Sequence, residues 1–325
     1  MNVSYPGFVD LQVNGFAGVA FNTPGNPPER IQAAMAAMRA TGVTRCLPTL
    51  ITSSFERFAA CARAIAACDD AAIAGLHMEG PYISPIDGAR GAHSLAHVIP
   101  ASLDDFKRRQ DAACGRIVLV TLAPEAPGAL GLIEHLAAQH IRVAIGHTAA
   151  TREQIREGIR AGATLSTHLG NGCPQLLPRH DNVIWEQLAA DDLSASFIVD
   201  GHHLPAAVVK SMLRAKGLGR AILVTDAVAA AGAPPGRYWL GELEIELDAS
   251  GRVARPGALN LAGSSLTMDA AVANTVRLCG LALENVLPMA TINPARLLGI
   301  DPAGQVTAEW NPATYRLTIL DVAES

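Results

Sequence analysis

Short apolar runs alternate along this chain with alanine-rich windows of helical pattern. The runs Gly7–Val13, Arg45–Ile51, Ala72–Met78, Ile117–Ala123, Arg142–Ile145, Thr164–Thr167, Ser196–Val199 and Ala221–Thr225 predict eight strands. Helices are predicted over Pro28–Thr41, Ser54–Cys68, Ser102–Ala113, Gly128–Gln139, Thr151–Ala161, Val183–Asp191, Pro205–Lys216 and Met268–Cys279. Thr151, with Gln154 three residues on and Ile155 and Ile159 beyond, carries a capping-box pattern. Such alternation predicts an α/β fold, and the strand count favours a (β/α)8 TIM barrel over a doubly wound open sheet. Arg237–Gly257 alternates with period two across Asp248-Ala249-Ser250-Gly251 and predicts an inserted hairpin; Thr314–Val322 predicts one more strand. The expected organisation is a barrel over 6–235 and 259–300. A small β appendage would be built from 236–258 and 303–325 with 1–5.

Composition agrees with packed helices on an aliphatic parallel sheet: half the 325 residues are hydrophobic, but only 4% are aromatic. A net charge of −5 without a Lys/Arg cluster gives no footprint for nucleic acid or an anionic membrane, so a small molecule is the expected partner. No apolar run approaches the roughly 18 residues of a membrane span, and the N-terminus shows no secretory pattern. The cysteines at 46, 61, 68, 114, 173 and 279 form no Cys-x-x-Cys pair, as expected of free thiols in the cytoplasm.

Chemistry in such a barrel belongs to the C-terminal ends of its strands. Strand three ends at Glu79, strand five runs into His147, strand six into His168 and strand eight into Asp226. Their separations are about two, one and two βα units of roughly 30 residues, so all four can converge over one mouth. One carboxylate with two imidazoles is a common ligand set for a catalytic divalent metal with an open position, and Asp226 would then act as a base on water. Taken singly, a strand-end histidine is as readily a hydrogen-bonded core residue, and an aspartate before a loop often caps a helix. Four together favour one site. His77 shares a strand face with Glu79 one pleat deeper, and is expected to form hydrogen bonds beneath the site rather than bind metal.

Only Lys107, Lys210 and Lys216 are lysines, and all fall in helical windows, which disfavours a Schiff base or a carbamylated-lysine bridge between two metals. Walker, Gly-x-Gly-x-x-Gly and Gly-x-Ser-x-Gly patterns are missing.

The motifs "PGFVDLQVNG", "GLHMEGPYISP" continuing to "RGAH", "VTLAPE", "AIGHTAAT", "STHLGNG", "VDGHHL", "LVTDA", "LAGSSLTM" and "NPARLLG" resemble those of the N-acetylglucosamine-6-phosphate deacetylases of the amidohydrolase superfamily, from Pro6 to about Gly299. The resemblance implies Glu79, His147 and His168 as ligands of one divalent metal, with zinc first and Fe2+, Mn2+ or Co2+ as alternatives. It implies Asp226 as general acid/base. It also implies substrate contacts at Ala92 and His93, at Asn171 and Gly172, at His203, and along Leu261, Ala262 and Gly263. Arg179 matches an arginine that reaches the sugar phosphate of a neighbouring subunit, which implies a homodimer. Many amidohydrolases end their first strand in His-x-His and hold a second metal there; this chain has Gln12 and Asn14, and one metal per site is implied.

Two departures bear on the substrate. Gly170-Asn171-Gly172-Cys173-Pro174 stands where the family has an aromatic-Asn-Ala-Met run, and 175–182 diverges with it, in a loop expected to face the sugar. The several dozen residues that precede the first barrel strand in the family are not matched, so a reduced appendage is expected. The expected activity is hydrolysis of the N-acetyl group of an amino-sugar phosphate. The alternatives are a different N-acyl substrate, or a silent sugar-binding homologue.

Overall fold

A computed structural model describes residues 1–323; the last two residues of the expected 303–325 segment lie outside it. Eight parallel strands form one sheet: β1 (Phe8–Val13), β2 (Val43–Ile51), β3 (Leu76–Glu79), β4 (Ile117–Leu122), β5 (Arg142–Ile145), β6 (Leu165–Ser166), β7 (Ser194–Phe197) and β8 (Ala221–Leu223). Neighbours in sequence are neighbours in the sheet, with a helix in each crossover: α1 (Pro28–Arg39), α2 (Phe55–Ala66), α3 (Leu103–Ala112), α4 (Ala129–Ala138), α5 (Arg152–Ala161), α6 (Val183–Ala189) and α7 (Ala206–Lys216). Three helices follow β8: α8 (Met268–Cys279), α9 (Leu283–Ala290) and α10 (Ile292–Leu298). The architecture is the (β/α)8 barrel expected from strand count. The Thr151 hydroxyl accepts the Gln154 N–H while the Gln154 side chain accepts the Thr151 N–H, so the capping box opens α5.

The barrel closes at the seam between β8 and β1 near the mouth. There Asp226 N donates to the Gln12 carbonyl at 2.9 Å and Asn14 N donates to the Ala227 carbonyl at 2.6 Å. Asp10 braces the seam lower down, accepting the Thr225 hydroxyl at 2.5 Å. This join places the first-strand carboxamides beside Asp226.

The flanking strands form two separate three-stranded antiparallel sheets, not the single appendage grouped from sequence. Asn2–Pro6, Gln305–Asn311 and Arg316–Ala323 form one at the base, where Pro6 leads directly into the N-terminal end of β1. Gly236–Leu240, Leu243–Leu247 and Val253–Ala254 form the other. It starts from the opposite, C-terminal end of β8 and packs Leu240, Ile245, Leu247 and Val253 on Val228 and Ala262 above the mouth. The main hairpin turns at Gly241-Glu242, with Gly241 at φ 60°; the Asp248–Gly251 turn leads into the short third strand. Sheet membership follows from which end of the barrel each flank leaves, a property no local pattern records.

Candidate metal centre

Glu79 is the last residue of β3, while His147, His168 and Asp226 follow the ends of β5, β6 and β8 by two or three residues. All four are buried. His147, His168 and Asp226 have φ values of 50°, 29° and 48°. The left-handed region is disfavoured for residues with a Cβ, and its use at three strand ends turns these side chains inward over the barrel axis.

Glu79 Oε1 lies 3.2 Å from His147 Nε2, 3.2 Å from His168 Nε2 and 2.8 Å from the Gln12 amide nitrogen. The three acidic and imidazole donor atoms lie within 4.8 Å of one another. The His147 Nδ1 donates to the Ala89 carbonyl at 2.9 Å. A neutral His147 therefore directs its Nε2 lone pair at a carboxylate oxygen, a repulsive contact unless a proton or cation lies between. His168 places its Nε2 at the same distance from this oxygen, and its buried Nδ1 has no hydrogen-bond partner among the described residues, so no protein group fixes its tautomer and Nε2 is free to act as a ligand atom. A divalent cation satisfies the two imidazoles and the carboxylate together, and nitrogen–oxygen sets of this kind suit it. Glycine is required where the next loop passes over these rings: a Cβ on Gly172 would stand 3.0 Å from His147 Nδ1 and 3.2 Å from the His168 ring, at a φ of 56°.

Asp226 Oδ1 accepts the Asn14 amide at 2.7 Å and the Gln12 amide at 3.2 Å. Burial, and then the charge of Glu79, push its carboxyl up to about 8, against the pull of His168 and the Asn14 hydrogen bond. Gln12 thus joins the candidate ligand carboxylate to the candidate base.

His77 forms no hydrogen bond to Glu79 among the described residues. Its Nδ1 lies 3.1 Å from the Leu11 carbonyl and its Nε2 2.7 Å from the Thr121 hydroxyl, which lies 2.7 Å from that of Thr167. Burial lowers its pKa to about 4, so the ring is a neutral bridge inside the barrel. His93 lies nearer the candidate ligands: its ring centroid is 4.2 Å from that of His147, its Nε2 is 3.8 Å from Glu79 Oε2 and its Nδ1 is 2.8 Å from the Thr52 hydroxyl. Thr52, in the "TLITSS" run at the end of β2, escaped the sequence reading; a polar run at a strand end was the available signal.

A cavity of about 840 Å3 opens above this floor. Every expected substrate residue lines it except Arg179, which is exposed on the outer part of the 171–182 loop, its carbonyl accepting the Trp185 indole N–H at 3.2 Å. His203 is held by Asp200, whose Oδ2 accepts from Nδ1 at 2.7 Å. The rim includes residues the sequence did not mark. Glu242, at the hairpin turn, lies 3.2 Å from Arg57 Nη2 and 3.8 Å from His97 Nε2.

Residues 3–311 match the model of the amidohydrolase family. An N-acetylglucosamine-6-phosphate deacetylase of Lysinibacillus sphaericus is 33% identical over 93% of this chain and 78% of its own. An N-acetylgalactosamine-6-phosphate deacetylase of Escherichia coli O157:H7 is 35% identical over 91% and 78%. Among solved structures, a mutant N-acetyl-D-glucosamine-6-phosphate deacetylase of Mycobacterium smegmatis, in complex with N-acetyl-D-glucosamine-6-phosphate, superposes with a TM-score of 0.91 at 31% identity, covering 99% of this chain and 86% of that one.

Proposed function

This chain belongs to the amidohydrolase family, and on that premise we propose that it hydrolyses the N-acetyl group of an amino-sugar 6-phosphate, N-acetylglucosamine 6-phosphate first, to acetate and the free amine. The observation that carries this reading is the convergence of two imidazole Nε2 atoms on one carboxylate oxygen, with Asp226 tied to the same carboxylate through Gln12.

Glu79, His147 and His168 would hold the divalent metal. When bound, it acidifies water and polarises an acyl carbonyl. Zinc suits the donor set, and Fe2+, Mn2+ and Co2+ fit it as well. One metal per site is favoured because the Gln12 and Asn14 amides donate to Glu79 and Asp226 where many family members hold a second metal.

Asp226 takes the proton of the attacking water. Positive charge on the ligand side offsets the field of Glu79 that raises its pKa, so the carboxylate form is available near neutrality. The same carboxyl then delivers the proton to the departing amine. His93 Nδ1 lies 2.8 Å from the Thr52 hydroxyl, and in the tautomer that carries its proton on Nε2 the ring can donate to the oxygen of the tetrahedral intermediate. His203, fixed by Asp200, and the Asn171–Gly172 turn contact the sugar, and the 261–263 segment lines its other side.

Arg179 lies outside its own cavity, beside Leu176 and Trp185 on an exposed surface, which favours a homodimer in which it reaches the phosphate in the neighbouring subunit. The six free cysteines favour a reducing cytoplasm, and no described helix is long and apolar enough to cross a membrane.

Relatives named for epimeric sugars are similarly close, so the decisive experiment is a panel. Zinc-loaded protein is given N-acetylglucosamine, N-acetylgalactosamine and their 6-phosphates, and acetate release is measured with and without a chelator. Chelator-sensitive release that prefers a phosphorylated sugar is expected. No release from either phosphate by metal-loaded protein would sink the proposal.

A further inference from the structure

The motif that runs from Val120 to Glu125 ends in a carboxylate that the chemistry above does not use. Glu125 follows β4, at intermediate burial, and both of its oxygens are engaged: Oε2 accepts the Thr148 hydroxyl at 2.6 Å and Oε1 accepts the Ala149 N–H at 2.7 Å. These donors come directly after His147, one of the three left-handed residues of the floor. Having donated to Glu125, the Thr148 hydroxyl accepts the Ala150 N–H at 3.0 Å, so the carboxylate organises the whole turn.

The other two left-handed residues are braced in related ways. Asp10 accepts the Thr225 hydroxyl at 2.5 Å, and that hydroxyl accepts the Ala227 N–H at 3.1 Å, on either side of Asp226. Ser196 Oγ accepts the His168 N–H at 2.7 Å. A backbone conformation unfavourable to a side chain persists only where surroundings over-determine it, and here each case has a side-chain oxygen from another strand or its following loop. Charged acceptors form the stronger hydrogen bonds. Glu125 is the least buried of the three braces, so it can be replaced with the least disturbance to the core.

We propose that Glu125 is a positioning residue: it holds the turn after His147 in the conformation that directs Nε2 toward Glu79, and so sets metal affinity without touching the metal or the substrate. This rests on the reading of Glu79, His147 and His168 as metal ligands. The test is the affinity of the purified full chain for Zn2+, measured by competition with a chromogenic chelator, together with the melting of the metal-free protein. Glu125→Ala and Thr148→Val are each expected to weaken Zn2+ binding by roughly 10–100-fold, as supporting partners of ligands do. The double variant should lose clearly less than the two single losses combined, since both remove the Glu125–Thr148 contact while each removes only one further contact of its own. Glu125→Gln keeps an acceptor for the Ala149 N–H and should recover part of the loss. Metal-free melting should stay within about 4 °C of the parent. Zn2+ affinities within about twofold of the parent in both single variants overturn the proposal, as does a fully additive double variant or a loss matched by a general fall in melting temperature. A parent protein that binds no Zn2+ overturns the metal centre itself, a result distinct from these.

Discussion

At the floor of the cavity, each key oxygen has more than one polar partner: Glu79 Oε1 faces Gln12, His147 and His168, and Asp226 Oδ1 faces Gln12 and Asn14. Around the rim, contacts are sparse and exposed. The Glu242 side chain is 58% exposed where it meets Arg57 and His97, and Leu259 is 93% exposed. The floor is built by strand ends that the closed sheet fixes relative to one another. The rim is built by loops and an inserted sheet, which can change without moving the floor. Bond-breaking chemistry is expected to depend on the first region and choice of substrate on the second.

The largest effect should come from the floor. Glu79→Gln removes the only anion of the candidate ligand set and leaves a carboxamide, a poor metal donor; metal content by elemental analysis should fall close to zero, and acetate release with it. A fully loaded variant would break the assignment.

Asp226→Asn should keep its metal and lose about 10²–10⁴ in turnover, the usual worth of a general acid–base group. The parent's pH profile sharpens this. Asp226 must be ionised to take a proton, so activity is present above its pKa and is lost as pH falls through it. In the absence of a cation that pKa is raised to about 8, and a nearby cation lowers it, so the acid limb should lie below 8 and vanish in Asp226→Asn. An unchanged acid limb in the variant would assign the proton to another group.

Arg179→Ala tests the exposed loop outside the cavity. If this guanidinium meets a phosphate across a dimer, KM for the 6-phosphate should rise about 10–100-fold, in line with a charge-assisted hydrogen bond, while the unphosphorylated sugar is unaffected. Equal effects on both sugars would remove Arg179 from phosphate recognition. The smallest changes should mark the edges of each region. His77→Gln, below the floor, should weaken metal binding by no more than about tenfold. Glu242→Gln, an exposed ion pair, should alter kcat/KM by no more than a few-fold, as befits about 0–1 kcal/mol. A larger effect at Glu242 than at His77 would reverse the comparison.

Much of the floor was legible because strand period and strand length are local properties. The apolar run closing on Leu76-His77-Met78-Glu79 already separates a residue at the mouth from one a pleat deeper, and the turns after β5, β6 and β8 name the other three candidates. The rim was less legible. Thr52 and Glu242 carry no spacing that distinguishes them from ordinary polar residues, and the Gly241-Glu242 turn was passed over in favour of Asp248–Gly251. The two small sheets look alike as alternating segments, and only their attachment to opposite ends of the barrel separates them.

The sequence by itself determined the order of strands and helices, the strand-end places of Glu79, His147, His168 and Asp226, and the family motifs that join them. Tertiary structure decided which atoms meet: that His147 turns its lone pair toward Glu79, that Gln12 joins Glu79 to Asp226, that His77 turns away to Thr121, and that Glu125 grips the turn after His147. The reason is one of range. Periodicity is written into residues two to four apart, whereas these hydrogen bonds join groups 23 to 214 residues apart, and only closure of the barrel brings them together.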